Sequence, residues 1–175
     1  THTHNAPALL GYAPSLWASR WTAAQQRAAV RYTDALVAHV TRAILDSLRS
    51  LAPARLRWRP RGTLGLAVNR RTLKSDGRWK NFGANATAPT DDALPVLVAE
   101  AADTKERRVL GVWFAYGMHA CTTYVDNTAH GGWPGAASLR LEARFPGAVA
   151  LPASGCSGDQ ASRAYLALEA AQNSG

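Results

Sequence analysis

Val109-Leu110-Gly111-Val112-Trp113-Phe114-Ala115-Tyr116, running into Gly117-Met118-His119, is the stretch on which the fold turns. A short, nearly unbroken apolar run bounded by turn residues reads as a strand buried in a sheet. Ligand and catalytic groups of α/β sheets gather just beyond strand ends, where a rigid scaffold presents side chains to a crevice. His119 stands at that position. Taken alone, a histidine in this place is more often a core residue with its hydrogen bonds satisfied.

Outward from this run, further strands are expected at Leu56 to Arg59, Leu64 to Val68, Pro95 to Ala101 and Val149 to Leu151, with the segments at Pro95 and Val109 forming a hairpin. Between Thr22 and Leu51 the apolar positions Ala24, Ala28, Tyr32, Leu36, Val40, Ile44 and Leu48 recur every four residues, which predicts one long amphipathic helix. Thr22-Ala23-Ala24-Gln25 fits a capping box at its start, and Pro53 marks its end. A second helix is expected from Pro134 to Arg144 with Gly147 just past it, and a third from Asp159 to Ala171. Residues Arg71 to Asp92 are polar and rich in Gly, Asn, Thr and Lys, and read as a long loop. The mixture predicts an α/β fold: a mixed β-sheet layered with helices, including the long helix near the N-terminus.

The 175 residues suffice for one ordinary domain, and a 47% hydrophobic content argues against disorder. No apolar run approaches the roughly 18 to 20 residues that span a bilayer. Twenty Lys and Arg against twelve Asp and Glu give a net charge of +8, which favours polyanions, either nucleic acid or an anionic membrane surface. No nucleic-acid motif accompanies the charge, so nucleic acid is the weaker expectation. In Arg55-Leu56-Arg57-Trp58-Arg59 the alternation predicts arginines on the solvent face and Leu56 and Trp58 on the buried face. Two cysteines, Cys121 and Cys156, establish no disulfide framework; they read as small buried residues near functional loops.

Candidate chemistry is scattered. The chain opens on Thr1-His2-Thr3-His4-Asn5-Ala6-Pro7, and in an extended segment side chains two apart share one side, so His2 and His4 can converge on one ion or substrate. With His119 they suggest a metal site, since neutral imidazole is a good zinc ligand and catalytic zinc commonly keeps three protein ligands. Asn69-Arg70-Arg71 ends a strand, where an arginine either holds an anionic or carbonyl oxygen through its planar fork or closes a salt bridge. Gly155-Cys156-Ser157-Gly158-Asp159-Gln160 is a glycine-rich turn after a strand, in which backbone amides can approach a substrate and Asp159 can cap a following helix. Ser157 lacks the Gly-x-Ser-x-Gly elbow of serine hydrolases.

Taken in order, Thr-His-Thr-His-x-x-Pro, a long helix, Val68-Asn69-Arg70-Arg71, the strand ending in Tyr116-Gly117-Met118-His119, Phe145-Pro146-Gly147-Ala148 and Gly155-Cys156-Ser157-Gly158-Asp159-Gln160 resemble the neutral/alkaline, non-lysosomal ceramidase family, nearest its bacterial ceramidase-like members. The resemblance implies a zinc-dependent amidase acting on the N-acyl bond of a sphingoid lipid. By motif match it makes His2 and His119 zinc ligands, His4 a helper beside the metal that moves protons or orients substrate, and Arg70 an active-site arginine. Gly158 and Asp159 fall in its substrate-binding turn. It also implies a Glu and a Tyr from later sequence in the metal shell, and an enzyme that is secreted, periplasmic or membrane-associated. The chain departs from the family pattern at Gly131-Gly132-Trp133-Pro134, where Gly-Asp-Tyr is usual, in Ala161-Ser162 after Gln160, and in the spacing of Gly117 to Cys121.

On this reading residues 1–175 are part of a single catalytic domain, truncated at both ends, and the implied activity is that of the parent protein, with little from the chain alone. Two other expectations stand beside it: a related zinc amidase or esterase for another acylated substrate, and a basic binding module for nucleic acid or anionic membrane with structural histidines.

Overall fold

In the computed structural model the described residues are 2–11, 20–62, 64–102, 107–121, 128–164 and 166–167. The chain divides into two compact units, one of residues Thr1–Asn5 with Pro53–Gly175 and one of residues Ala6–Ala52.

The smaller unit is built on helix α1, Ala23–Arg49. Its start follows the predicted chemistry: the Gln25 amide donates to Thr22 Oγ1 at 3.3 Å, and the Thr22 amide donates to Gln25 Oε1 at 2.8 Å. Two amides that the first turn cannot satisfy internally are thereby paired. At the other end the Ser50 amide still bonds Asp46 and Ser47 carbonyls before Pro53 stops the pattern. Much of the apolar stripe is exposed, including Val40, Ile44 and Leu48. No helix among the described residues is long and apolar enough to cross a membrane.

The larger unit holds two sheets. The first contains β1 (Ala54–Arg61), β4 (Leu94–Ala101), β5 (Val109–Tyr116) and β6 (Val149–Ser154) in the order β1-β4-β5-β6. The expected β4–β5 hairpin is present as an antiparallel pair, and β5 runs parallel to β6 with Tyr116 opposite Ser154. A parallel pair needs a long crossover, supplied here by α2, Gly132–Arg144. Trp133, Ala137 and Leu141, four residues apart on one face of α2, pack on Val112, Phe114 and Ala150. That contact is the main core.

The second sheet, ordered β3-β2-β7, is antiparallel: β2 (Ala67–Leu73) lies between β3 (Trp79–Asn85) and β7 (Gln160–Ser162). Tyr116 ties it to the first sheet. The buried phenol accepts from the Ala67 amide at 3.2 Å and donates to the Asp92 carboxylate, and burial together with that carboxylate pushes its pKa up to about 12.

The fold is therefore α/β, with one long N-terminal helix and helices beside two sheets. Local expectations fail in four places. Residues Arg71 to Asp92 are not one loop but contain the end of β2 and all of β3. The strand expected at Leu64 to Val68 begins at Ala67 and extends to Leu73. After Asp159 the chain enters β7 rather than a helix, so Asp159 caps no helix start; residues 163, 164, 166 and 167 are helical, and residues 165 and 168–171 of the expected helix lie outside the described residues. On β1 Arg55 and Arg59 are exposed as expected, but Leu56 and Trp58 are not buried, at 66% and 50% exposed, and the half-buried Arg57 pairs through Nε with the buried Glu100 carboxylate at 2.9 Å. A buried carboxylate needs a paired cation, and that requirement overrides simple polarity on an edge strand.

Candidate metal centre

Because β5 and β6 run parallel, the loops that follow them leave the sheet at one edge, the place where α/β sheets collect ligands. His119 lies three residues beyond β5, and Gly155 to Asp159 follow β6. The two loops are stitched together by backbone. The Gly155 amide donates to the Tyr116 carbonyl at 3.0 Å, and the His119 amide donates to the Gln160 carbonyl at 3.2 Å. Gly117 has no room for a side chain: a Cβ there would stand 2.7 Å from Gln160 Nε2 and 2.8 Å from the Asp91 carbonyl. Gln160 itself is 2% exposed, and its Nε2 donates to the Cys156 carbonyl at 2.9 Å, bracing the turn from within.

The N-terminal segment reaches the same point. Thr3 Oγ1 donates to the His130 carbonyl at 3.2 Å, the His130 amide donates to the Asn5 carbonyl at 3.0 Å, and His130 leads directly into α2. Held in this way, His2 and His4 point to one side, as expected of an extended His-x-His. Their Nε2 atoms are 3.0 Å apart, and each meets His119 Nε2, at 3.1 Å from His2 and 2.8 Å from His4.

Three imidazole nitrogens thus form a near-equilateral triangle, and the state of one is fixed. His119 Nδ1 lies 3.0 Å from the Ser157 carbonyl, which can only accept, so Nδ1 carries the proton and Nε2 turns its lone pair into the triangle. The buried His119 is kept neutral. Desolvation drives its pKa down to about 4, partly offset by the Ser157 bond and assisted by positive charge on Arg70, His2 and His4. Desolvation, then His2 and Arg70, also lower the pKa of His4. Among the described residues His2, His4 and His119 are the group of side chains suited to a metal ion. Their spacing fits zinc: with Zn–N near 2.0 to 2.1 Å, neighbouring nitrogens of a tetrahedral site stand about 3.3 Å apart, a small outward adjustment from the triangle.

Arg70 sits behind this centre. Its amide donates to the Asp159 carbonyl at 2.8 Å, its Nε and an Nη donate to the Gly158 carbonyl at 3.2 and 3.0 Å, and its guanidinium lies 4.7 Å from the centre of the Phe82 ring. Of the two expected roles, holding a carbonyl oxygen through the planar fork describes this contact, and a salt bridge does not. Gly158 and Asp159 are brought to the site, with their carbonyls turned to Arg70. Ser157 contributes its carbonyl to His119. Both cysteines are free; Cys121 is buried, but Cys156 is exposed, contrary to the expectation that both are buried. The fixing roles of Gln160 and of the Ser157 carbonyl carry no sequence motif, because both depend on how the β6–β7 turn closes.

No protein-family model matches the chain, and no curated protein matches it. Among solved structures it is similar to a neutral ceramidase from Pseudomonas aeruginosa, with a TM-score of 0.59 and 18% identity over 74% of this chain and 20% of that one. It is also similar to a ceramidase complexed with C2, with a TM-score of 0.58 and 20% identity over the same shares. The chain spans about a fifth of the length of these neighbours. At such identities the likeness is one of fold.

Proposed function

We propose that this chain carries a histidine-based zinc centre of a ceramidase-like amidohydrolase, an exported or membrane-associated enzyme that cleaves the N-acyl amide bond of ceramide-like lipids. One observation carries the proposal: three imidazole Nε2 atoms meet within 3.1 Å, one of them with its lone pair fixed inward by the Ser157 carbonyl. With His2 and His4 protonated on Nδ1, their Nε2 lone pairs would meet that of His119 and repel it unless a cation stood between them. The likeness in fold to ceramidase structures supports the choice of reaction and substrate.

Bound zinc would supply Lewis acidity, polarising the amide carbonyl and lowering the pKa of water toward neutrality. The chain's own residues do the rest. Buried and kept neutral, His119 offers an electron pair at working pH, and the carbonyl on its Nδ1 orients the ring and raises its basicity. His2 and His4 complete the donor set. The resemblance sets His4 apart as a helper, whereas its Nε2 stands in the same triangle as the other two, so we assign it a ligand's place. Arg70, anchored on Gly158 and Phe82, holds positive charge close enough to favour neutral imidazoles and to face negative charge developing on the amide oxygen. Gly158 and Asp159 border the substrate.

The test is metal content and hydrolysis of N-acyl sphingosines of graded acyl length, for the chain and for a longer protein containing it. Stoichiometric zinc in the longer protein, removed by chelator together with activity, is expected. A rate indifferent to acyl length would move the substrate to another acylated amide or ester, and undiminished zinc in His119→Ala would end the assignment.

A further inference from the structure

The hairpin of β2 and β3 carries side chains that the metal centre does not use. Its tip is a tight turn in which the Gly77 amide donates to the Lys74 carbonyl at 3.0 Å and the Lys74 amide to the Arg78 carbonyl at 2.8 Å, with Gly77 at a φ of +79°. Beyond it, Leu73 pairs with Trp79 and Arg71 with Phe82. Leu73, Trp79 and Phe82 are 55%, 56% and 58% exposed and, with Arg71 and Gly158, line a shallow depression of about 380 Å³. Apolar side chains this large, gathered on one hairpin and left more than half exposed, mark an interaction surface.

The charge around them has one sign. Residues 70 to 80 contain Arg70, Arg71, Lys74, Arg78 and Lys80 against the single acid Asp76, whose carboxylate is already paired with Arg78 at 2.7 Å. Aromatic and aliphatic groups with Arg70 and Arg71 against them and Lys74, Arg78 and Lys80 next to them along the hairpin suit the boundary of an anionic bilayer, where apolar groups enter the acyl region and cations meet headgroups. Stacking on nucleobases needs open ring faces. Here Arg70 covers one face of the Phe82 ring, and Trp79 meets Phe82 at 73°, centroids 5.8 Å apart, so the two rings form no parallel platform for successive bases. Lipid is therefore favoured over nucleic acid.

We infer that the β2–β3 hairpin is an interfacial anchor that seats this chain on anionic phospholipid. Its inner end is Arg70, which grips the Gly158 carbonyl in the turn that orients His119, so the anchored surface adjoins the metal centre. Delivery of a lipid amide from the bilayer to that centre rests on the proposed hydrolase reading; the anchoring itself does not.

The experiment is co-sedimentation of the chain with phosphatidylcholine vesicles, pure or half phosphatidylglycerol, at low and high salt, with no amide lipid present. Binding to the mixed vesicles only, weakened by salt, is expected. Both Trp79→Ala/Phe82→Ala and Lys74→Glu/Lys80→Glu should weaken it by about tenfold or more, at unchanged circular dichroism. The charge variant keeps the test decisive if the aromatic one misfolds. Vesicle binding undiminished in both variants, or equal affinity for a single-stranded oligonucleotide that both variants retain, would overturn the anchor. His119→Ala should bind vesicles as the parent does. Vesicle binding by the chain, with no hydrolysis of N-acyl sphingosines by the longer protein, would fail the hydrolase reading alone; hydrolysis in detergent by the longer protein, without vesicle binding by the chain, would fail the anchor alone.

Discussion

His119 and the His2/His4 pair reach one point from opposite kinds of structure. His119 is 8% exposed, between two loops sewn to parallel strands, and the Ser157 carbonyl sets its tautomer. The His-x-His pair is carried by a short extended segment held at Thr3 and Asn5 by backbone groups of residue 130. The difference teaches how such a centre divides its work. A buried, oriented ligand loses little freedom when an ion arrives, while ligands on a more exposed segment, held at Thr3 and Asn5, lose more.

Removing a ligand should separate the two regions most sharply. His119→Ala is expected to cost zinc affinity more than the roughly 100-fold upper range of an outer-partner loss, because it deletes the preorganised nitrogen. His2→Ala and His4→Ala should each weaken binding by a smaller factor; competition titration of metal measures all three. If His4→Ala keeps full zinc affinity but loses turnover, His4 is the proton-moving helper and not a ligand.

Next in size is the brace behind His119. Gln160→Leu removes the donor to the Cys156 carbonyl and should lower zinc affinity about 10- to 100-fold, with a changed nitrogen NMR signature of the His119 ring. Loss of thermal stability alone, with an unaltered ring signature, would make Gln160 a packing residue only. Tyr116→Phe strands the buried Ala67 amide, leaves the Asp92 carboxylate with the Gly65 amide as its remaining donor, and should cost about 1 to 3 kcal/mol in denaturant unfolding.

Acid should act on His119 specifically in chelator-treated protein. Its pKa is about 4 in the fold against 6.5 in a free side chain, so the unfolded chain takes up the proton first as pH falls. Its contribution to stability is complete above about pH 6.5, declines between 6.5 and about 4, and is gone below. His119→Gln should flatten that part of the stability profile. The smallest effect is expected in the smaller unit: Thr22→Ala opens the capping box of α1 and should cost about 1 kcal/mol, with zinc affinity unchanged.

Periodicity made part of the architecture legible. Repeats of four apolar residues located α1, and unbroken apolar runs located β4 and β5. Strand β3 was hidden because it reads Trp79-Lys80-Asn81-Phe82-Gly83-Ala84-Asn85, polar and mostly exposed, with no buried face to impose alternation. Asp76-Gly77 between Leu73 and Trp79 was the available signal, since glycine in a left-handed conformation closes a three-residue hairpin loop. Arg57 misled for a different reason: its partner Glu100 lies across a strand pairing that composition does not encode.

The sequence by itself determined the α/β class, the long capped helix, and the presence of histidines suited to a metal, since these depend on short-range spacing and side-chain chemistry. Only the tertiary structure decided that residues 2, 4 and 119 meet and which nitrogen of His119 faces inward. It also put an exposed aromatic hairpin beside their supporting turn. Those facts depend on strand order and loop closure between residues more than a hundred positions apart, and local pattern carries no record of such contacts.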